Sequence, residues 1–167
     1  SDAAFAFSDA HPAHLSPVQA MGAAHRNVIA AELITPVKKS VTLDWTLPPG
    51  AALGDGVKRP LIMMPHGGPS AYDSADFDWM AQFVASRGYV VLQPNFRGSS
   101  GFGKEFEDAG RGEWVGKMQD DLIDGIDAFA QVGAIDKTQV CIVGASFGGY
   151  AALAGAAFHP DAYRCSA

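Results

Sequence analysis

The sequence predicts an α/β fold in which a mostly parallel sheet carries helices on both faces. Three observations support this class. Apolar runs alternate three times with segments of helical spacing, and the runs are continuously apolar, as in strands covered on both faces. The length of 167 residues suits about one domain. Alternation of this kind is typical of parallel strands joined by helices.

The first predicted elements lie between residues 41 and 88. Residues 41–47, VTLDWTL, alternate apolar and polar positions, which predicts a half-buried strand ending at the PPG turn. Residues 60–66, PLIMMPH, predict a strand buried on both faces. Apolar residues at helical spacing from Phe77 to Ser86 predict a helix, with Gly88 as its cap.

The second half of the chain continues the alternation. In order, the sequence predicts a buried strand at 89–94, a glycine-rich loop at 95–114, a helix marked by Leu122, Ile126, Phe129 and Ala130, a strand at 139–143, a helix at 147–158 and the start of a fourth strand at 163–167. Residues 1–40 are rich in Ala, His and Pro and predict a connecting segment. We therefore divide the chain into that segment and a domain at 41–167.

Charge and hydropathy exclude several classes of partner. The net charge is −6, and no basic run is longer than Lys38–Lys39, so neither nucleic acid nor an anionic membrane is an expected partner. No apolar run approaches the length of a membrane-spanning helix. The first 30 residues also lack a basic head followed by an apolar block, so no signal peptide is expected.

Cysteines and histidines predict no metal or cofactor. Cys141 and Cys165 are too few for a disulfide framework, and we expect two small buried apolar residues rather than a redox pair. Their use leaves the compartment open between cytoplasm and periplasm. The N-terminal histidines His11, His14 and His25 have no interleaved cysteine or acid, so their spacing fits no common metal site.

The strongest chemical motif is Gly144-Ala145-Ser146-Phe147-Gly148, the G-x-S-x-G pattern of a nucleophile elbow. An apolar strand precedes it and a helix follows, so the hydroxyl would project above the carboxyl edge of the sheet. The amide of Phe147 could then donate to an oxyanion. The competing interpretations are a plain strand-to-helix turn and a phosphate loop. The glycines fit no G-x-G-x-x-G pattern, and the lysine of a P-loop is absent.

A second oxyanion donor is predicted in HGGP, residues 66–69, directly after a buried strand. Glycine lets the backbone approach a substrate closely, and Gly68 is the candidate donor. His66 could be a catalytic base, but it precedes the serine, whereas elbow enzymes have the order Ser, Asp, His. We therefore interpret His66 as orienting its loop.

Charged residues near the same edge have two interpretations each. Arg97 could brace its loop by hydrogen bonds or hold a substrate carboxylate, and we favour bracing. Asp120 and Asp121 could be a catalytic acid pair, but acidic residues at a helix start are more often structural.

Four motifs in order resemble the catalytic domain of the prolyl oligopeptidase family of serine peptidases, in particular its bacterial acylaminoacyl-peptidase and dipeptidyl-peptidase types. They are PHGGP, YVVLQPNFRGSSGFG, EWVGKMQDDLIDGIDAF and VCIVGASFGGYAAL, and the similarity covers residues 41–167. The resemblance implies the N-terminal part of an α/β-hydrolase fold. Residues 1–40 would match the segment by which the chain exits the family's β-propeller, which filters substrates by size. It also implies a nucleophilic Ser146, oxyanion amides at Phe147 and Gly68, and cleavage of short peptides on the carbonyl side of a chosen residue.

The sequence departs from the family after the elbow, where the Asp and His of the triad would follow. His159 is the only histidine and Asp161 the only acidic residue after Ser146 in this sequence, and we expect them on the wrong side of the sheet. We therefore expect a piece of a longer peptidase that is inactive alone and whose partner is the rest of the polypeptide, or a second copy paired at the exposed edge near 139–143. The alternatives are an esterase or lipase-like hydrolase and a non-catalytic domain that folds by association.

Overall fold

The computed structural model describes residues 5–7, 31–34 and 40–167. Its strands are β1 (Phe5–Phe7), β2 (Ala31–Ile34), β3 (Ser40–Thr46), β4 (Arg59–Met63), β5 (Val90–Asn95), β6 (Ile135–Ile142) and β7 (Cys165–Ser166). Its helices are α1 (Trp79–Ala85), α2 (Lys104–Asp108), α3 (Lys117–Gln131) and α4 (Phe147–Phe158). Within the described part of the chain, no helix has both the length and the apolar character needed to cross a bilayer.

The described strands form one mixed sheet in the order β1-β2-β3-β5-β4-β6-β7. The pairings from β1 through β3 to β5 are antiparallel, and those from β5 through β4 and β6 to β7 are parallel. The α/β class is confirmed, and the parallel half of the sheet contains the strand that leads to Ser146. The predicted fourth strand is β7, which lies outside β6.

Helices cover both faces of this sheet, as β5 shows. Val90 and Leu92 pack in the large core with residues of α3 and α4, whereas Val91 packs with Ala81 and Ala85 of α1. Successive side chains of a strand point to opposite faces. α3 and α4 therefore cover one face and α1 covers the other.

The prediction of a half-buried β3 is wrong, because both faces of this strand are covered. Leu43 and Trp45 are fully buried on the α3 side, where the Trp45 ring meets Phe129 edge-on at 5.2 Å. Asp44 and Thr46 point to the other face and are buried as well. Their polarity produced the alternating pattern, but these polar side chains lie under the α1 layer rather than in solvent.

Helix α1 forms within the predicted range, but its small apolar residues are buried rather than its large ones. The helical spacing of Phe77, Met80, Ala81 and Val84 predicts that they share a buried side. Ala81 is buried and packs on the sheet with Ala85, and Val84 is partly buried against them, whereas 67% of Phe77 and 38% of Met80 are exposed. Asp78 caps the helix by accepting hydrogen bonds from the amides of Met80 and Ala81. Small side chains allow α1 to lie close to the sheet and turn its large apolar residues outward.

Two further elements differ from the prediction. The loop predicted at 95–114 contains the short helix α2, which buries Phe106. Strand β6 begins at Ile135, four residues before the predicted start, because the polar stretch Asp136–Gln139 continues the strand. Neither extension has an apolar periodicity that would reveal it.

Strands β1 and β2 lie within the segment 1–40 predicted to be connecting, and β2 pairs with β3 through Leu33 and Val41. The boundary between connecting segment and catalytic domain stays a prediction. His11, His14 and His25 lie outside the described residues.

The expectation of two buried, unpaired cysteines is wrong, because Cys141 and Cys165 form a disulfide. They are directly opposite one another in the parallel pair of β6 and β7, with Cα atoms 4.7 Å apart, a separation at which disulfides form. Cys165 is exposed and Cys141 is half-buried. The disulfide links the strand that leads to Ser146 with its outer neighbour.

Replacing Cys165 by serine is expected to lower the free energy of unfolding by about 3 kcal/mol, because the disulfide closes a loop with a sequence separation of 24. The melting temperature of the full-length gene product, with and without reductant, measures this effect. Reductant should lower the melting temperature of the wild type and leave that of Cys165→Ser unchanged. If reductant does not change the melting temperature of the wild type, and mass spectrometry shows free thiols, the disulfide is contradicted.

Candidate active site

Ser146 lies at the turn between β6 and α4, in a backbone conformation that few residues other than glycine adopt. It has φ 56° and ψ −121°, and among the described residues it is the one non-glycine with positive φ. Positive φ is costly for a residue with a Cβ and is often found at functional sites. The serine is the N-cap residue of α4 and is exposed. The turn therefore presents the Ser146 hydroxyl at the sheet edge, as the motif predicts.

The glycines around Ser146 are required by close backbone contact. A Cβ on Gly144 would overlap the backbone of Gly148, and a Cβ on Gly148 would overlap the carbonyl oxygen of Pro65. The first contact closes the turn, and the second seats the start of α4 against the segment that leaves β4. These two positions explain why the pattern needs glycine on both sides of the serine.

The HGGP loop, residues 66–69, lies beside the serine. A Cβ built on Gly67 would lie 3.5 Å from the Ser146 Cβ and 4.0 Å from its Oγ. Gly68 has φ 120° and precedes a cis peptide bond to Pro69. Sequence reasoning singled out Gly68 and missed the proximity of Gly67. Two consecutive glycines were the available signal, but the motif does not say which one faces the hydroxyl.

His66 is held by hydrogen bonds to Gly67 and Ser99. Its Nδ1 lies 2.7 Å from the Gly67 carbonyl oxygen and its Nε2 lies 2.8 Å from the Ser99 Oγ. A carbonyl only accepts, so Nδ1 carries the proton. Burial lowers the pKa of His66, and the bond to Gly67 opposes that shift. Nδ1 is thus engaged by the HGGP loop itself and Nε2 by Ser99, which supports the orienting role over that of a base.

An aromatic cluster connects the HGGP loop to the helix that starts after Ser146. The His66 ring stacks on Phe96 with centroids 4.5 Å apart, and Phe96 contacts Phe147 at 5.5 Å. Phe147 in turn meets Trp114 edge-on at 5.3 Å and Tyr150 at 5.7 Å. The Phe147 side chain is buried among these rings. Its packing holds the start of α4, where the Phe147 amide is the first predicted oxyanion donor.

Arg97 braces its loop, as predicted. Its Nε and Nη2 donate to the two carboxylate oxygens of Asp121 at 2.8 and 2.5 Å, and its backbone N–H donates to the same carboxylate at 3.0 Å. The Asp121 side chain is fully buried, and its hydrogen bonds raise the pKa of Arg97. Asp121 is therefore a structural partner rather than a catalytic acid. Asp120 is exposed.

His159 and Asp161 lie far from Ser146. Ser146 is the N-cap and His159 the C-cap of the same helix, α4. A rise of 1.5 Å per residue separates the two ends by about 20 Å. Asp161 follows on an exposed turn. Neither residue can reach the Ser146 hydroxyl.

Among residues 5–7, 31–34 and 40–167, the structure contains no group of three His, Cys, Asp or Glu side chains arranged to hold a metal ion.

A serine on a strained turn after a parallel strand, beside a His-Gly-Gly loop, defines the class of α/β-hydrolase sites. The sequence profile of the prolyl oligopeptidase family matches residues 75–167. The chain belongs to the prolyl oligopeptidase family.

Three relatives illustrate this membership. Dipeptidyl aminopeptidase BIII of Pseudoxanthomonas mexicana is 46% identical over 138 residues, which cover 80% of this chain and 20% of the relative. A puromycin-hydrolyzing peptidase of Mycobacterium tuberculosis superposes with a TM-score of 0.70 at 28% identity, over 85% of this chain and 21% of that structure. An acylaminoacyl peptidase in complex with Z-Gly-Gly-Phe-chloromethyl ketone superposes with a TM-score of 0.67 at 26% identity, over 74% of this chain and 20% of that structure. The chain spans about a fifth of the length of these relatives.

Proposed function

We propose that this chain is the nucleophile-bearing part of a serine peptidase that cleaves short peptides through an acyl-enzyme on Ser146. The observation that carries the proposal is the strained, exposed conformation of Ser146 at the start of α4, beside the HGGP loop. Backbone strain at a non-glycine residue is retained where the surrounding structure enforces it, often at an active site. Here the contact between Gly148 and Pro65 supplies that enforcement.

The first chemical step is attack of the Ser146 Oγ on the scissile carbonyl carbon, with its proton passing to a base. The carbonyl oxygen gains negative charge, and the amides of Phe147 and Gly68 donate to it. Collapse of the intermediate expels the amine, which takes the proton from the base, and leaves the acyl group on Ser146. Water then repeats the sequence and releases the acid. Loss of one such donor typically costs about 10²- to 10³-fold in rate.

The base is a histidine oriented by an aspartate, and we propose that both lie outside these 167 residues. His66 is committed to Gly67 and Ser99, and His159 lies at the opposite end of α4. Serine attack without its base is slower by about 10⁴- to 10⁶-fold. The 167-residue polypeptide alone is therefore expected to hydrolyse peptides negligibly.

The substrate class we propose is a short peptide with a free N-terminus, from which the whole enzyme releases a dipeptide. The relative at 46% identity is named a dipeptidyl aminopeptidase, which supports this choice. The alternative is an esterase, because elbow and oxyanion loop serve ester hydrolysis equally well.

A labelling and substrate comparison tests the proposal. The full-length gene product and the 167-residue polypeptide are treated with a fluorophosphonate probe, and the labelled residue is mapped by mass spectrometry. Hydrolysis is then measured for dipeptidyl p-nitroanilides, their N-acetylated forms and p-nitrophenyl acyl esters. We expect label on Ser146 of the full-length product, preference for free dipeptidyl amides, and negligible turnover by the 167-residue polypeptide.

Three outcomes would overturn parts of this proposal. Absence of label on Ser146 contradicts the nucleophile. Ester turnover without amide turnover favours the esterase, and turnover by the 167-residue polypeptide at the rate of the full-length product contradicts the distant base. We also propose that the 167-residue polypeptide self-associates through the two-residue outer strand β7. Sedimentation of that polypeptide tests this, and a monomer at all concentrations would exclude it.

A further inference from the structure

The turn at residues 96–99, hereafter the arginine turn, contacts both segments that carry the proposed oxyanion donors. The Ser99 N–H donates to the Phe96 carbonyl at 3.0 Å and closes the turn. The Phe96 ring lies between the rings of His66 and Phe147. The Ser99 Oγ lies 2.8 Å from the His66 Nε2. One short turn therefore contacts the HGGP loop and the start of α4 together.

The arginine turn is itself rigidly anchored. The buried Asp121 carboxylate accepts from the Arg97 backbone amide and from two nitrogens of its guanidinium. The Gly98 amide donates to the Phe106 carbonyl in α2 at 3.0 Å. Phe96, Arg97 and Ser99 are all buried. The turn is thus a fixed support rather than a mobile loop.

The Ser99 hydroxyl has one proton and two acceptors within reach. It lies 2.7 Å from the Phe96 carbonyl oxygen and 2.8 Å from the His66 Nε2. The Phe96 carbonyl already accepts from the Ser99 N–H. Since Nδ1 donates to the Gly67 carbonyl, a neutral His66 presents Nε2 as an acceptor, which the Ser99 proton can satisfy. The Gly67 carbonyl sets the tautomer of His66, and the contact with Ser99 holds its ring plane.

We propose that Ser99 is a positioning residue of the active site, which sets the oxyanion loop through His66. The path runs from the Ser99 hydroxyl to His66 Nε2, and from His66 Nδ1 to the Gly67 carbonyl, which belongs to the same peptide group as the proposed donor amide of Gly68. Without Ser99, Nε2 loses its partner, the imidazole is free to turn, and the Gly67 carbonyl loses its restraint. This inference rests on the proposed function, because it concerns the same site.

The test is a double-mutant cycle in the full-length gene product. Ser99→Ala is expected to lower kcat for a dipeptidyl p-nitroanilide about 10- to 100-fold with little change in KM, since small displacements of catalytic groups carry costs of this size. In a His66→Ala background the same change should have almost no further effect, because residues on one path are not additive. Ser100→Ala, one residue along, is the matched control and should keep wild-type kcat, because the Ser100 side chain forms no hydrogen bond within the described part of the chain.

A second readout separates this inference from the proposed function. Hydrogen exchange of the peptide that spans the HGGP loop should be about tenfold faster in Ser99→Ala than in the wild type, as expected for loss of one hydrogen bond, and unchanged in Ser100→Ala. Fluorophosphonate labelling of the wild type reports independently on Ser146.

The two readouts give distinct failures. Unchanged exchange and unchanged kcat in Ser99→Ala overturn the positioning role, even if Ser146 is labelled. Additive losses in the His66→Ala background show that Ser99 acts by another route, which also overturns it. If Ser146 is not labelled, the proposed function fails, and the exchange experiment still decides whether Ser99 holds the loop.

Discussion

Replacing Ser146 by alanine in the full-length gene product is expected to lower kcat/KM for dipeptidyl p-nitroanilides about 10⁴- to 10⁶-fold, the loss seen when a nucleophilic serine is removed. The reason is chemical rather than structural. Alanine lacks the oxygen that forms the acyl bond, while the oxyanion amides and the substrate contacts stay in place. Binding and electrostatic stabilisation alone would leave a small residual rate above that of water.

Stability separates this expectation from a folding defect. Ser146 has φ 56°, a conformation that is costly for serine and alanine alike, so Ser146→Ala should melt close to the wild type. Ser86→Ala, at the exposed end of α1, is the control and should retain full activity. A Ser146→Ala variant that is folded and retains more than a tenth of wild-type activity would show that the acyl-enzyme forms elsewhere or not at all.

The elbow was predictable because its determinants are local. Gly144, Ser146 and Gly148 lie within five residues, and the strand before them and the helix after them have clear apolar patterns. The alternation of strands and helices likewise predicted the parallel half of the sheet, since buried parallel strands are continuously apolar. These features depend on sequence neighbours, so a single sequence contains them.

What the sequence did not predict depends on contacts between distant residues. His66 and Ser99 are 33 positions apart, and their hydrogen bond follows from where β4 and β5 end. The disulfide requires the register that places Cys141 opposite Cys165, which composition does not reveal. Strand β3 is a third example. Its alternating pattern predicts that Asp44 faces solvent, but α1 covers that face of the sheet and Asp44 is buried. Periodicity reports which residues share a face and not what covers it.

Asp121 is a buried structural acid that supports the edge of the sheet where Ser146 lies. Its carboxylate is fully buried and holds both the guanidinium and the backbone amide of Arg97. Through the Phe96 ring, the arginine turn also contacts His66 and Phe147. Loss of this carboxylate should therefore be felt first as instability of the turn and only then as lower activity.

Replacing Asp121 by alanine is expected to lower the free energy of unfolding by about 3–5 kcal/mol, because it leaves a buried guanidinium and a buried amide without a partner. Only 9% of the Arg97 side chain is exposed, so the guanidinium has little contact with solvent. Urea unfolding followed by tryptophan fluorescence measures the effect. Asp120→Ala, the exposed neighbour on the same helix, should stay within about 0.5 kcal/mol of the wild type. The double variant Arg97→Met, Asp121→Leu should recover part of the loss, since it removes the unpaired charge. Equal midpoints for Asp121→Ala and Asp120→Ala would show that the pair does not hold the turn.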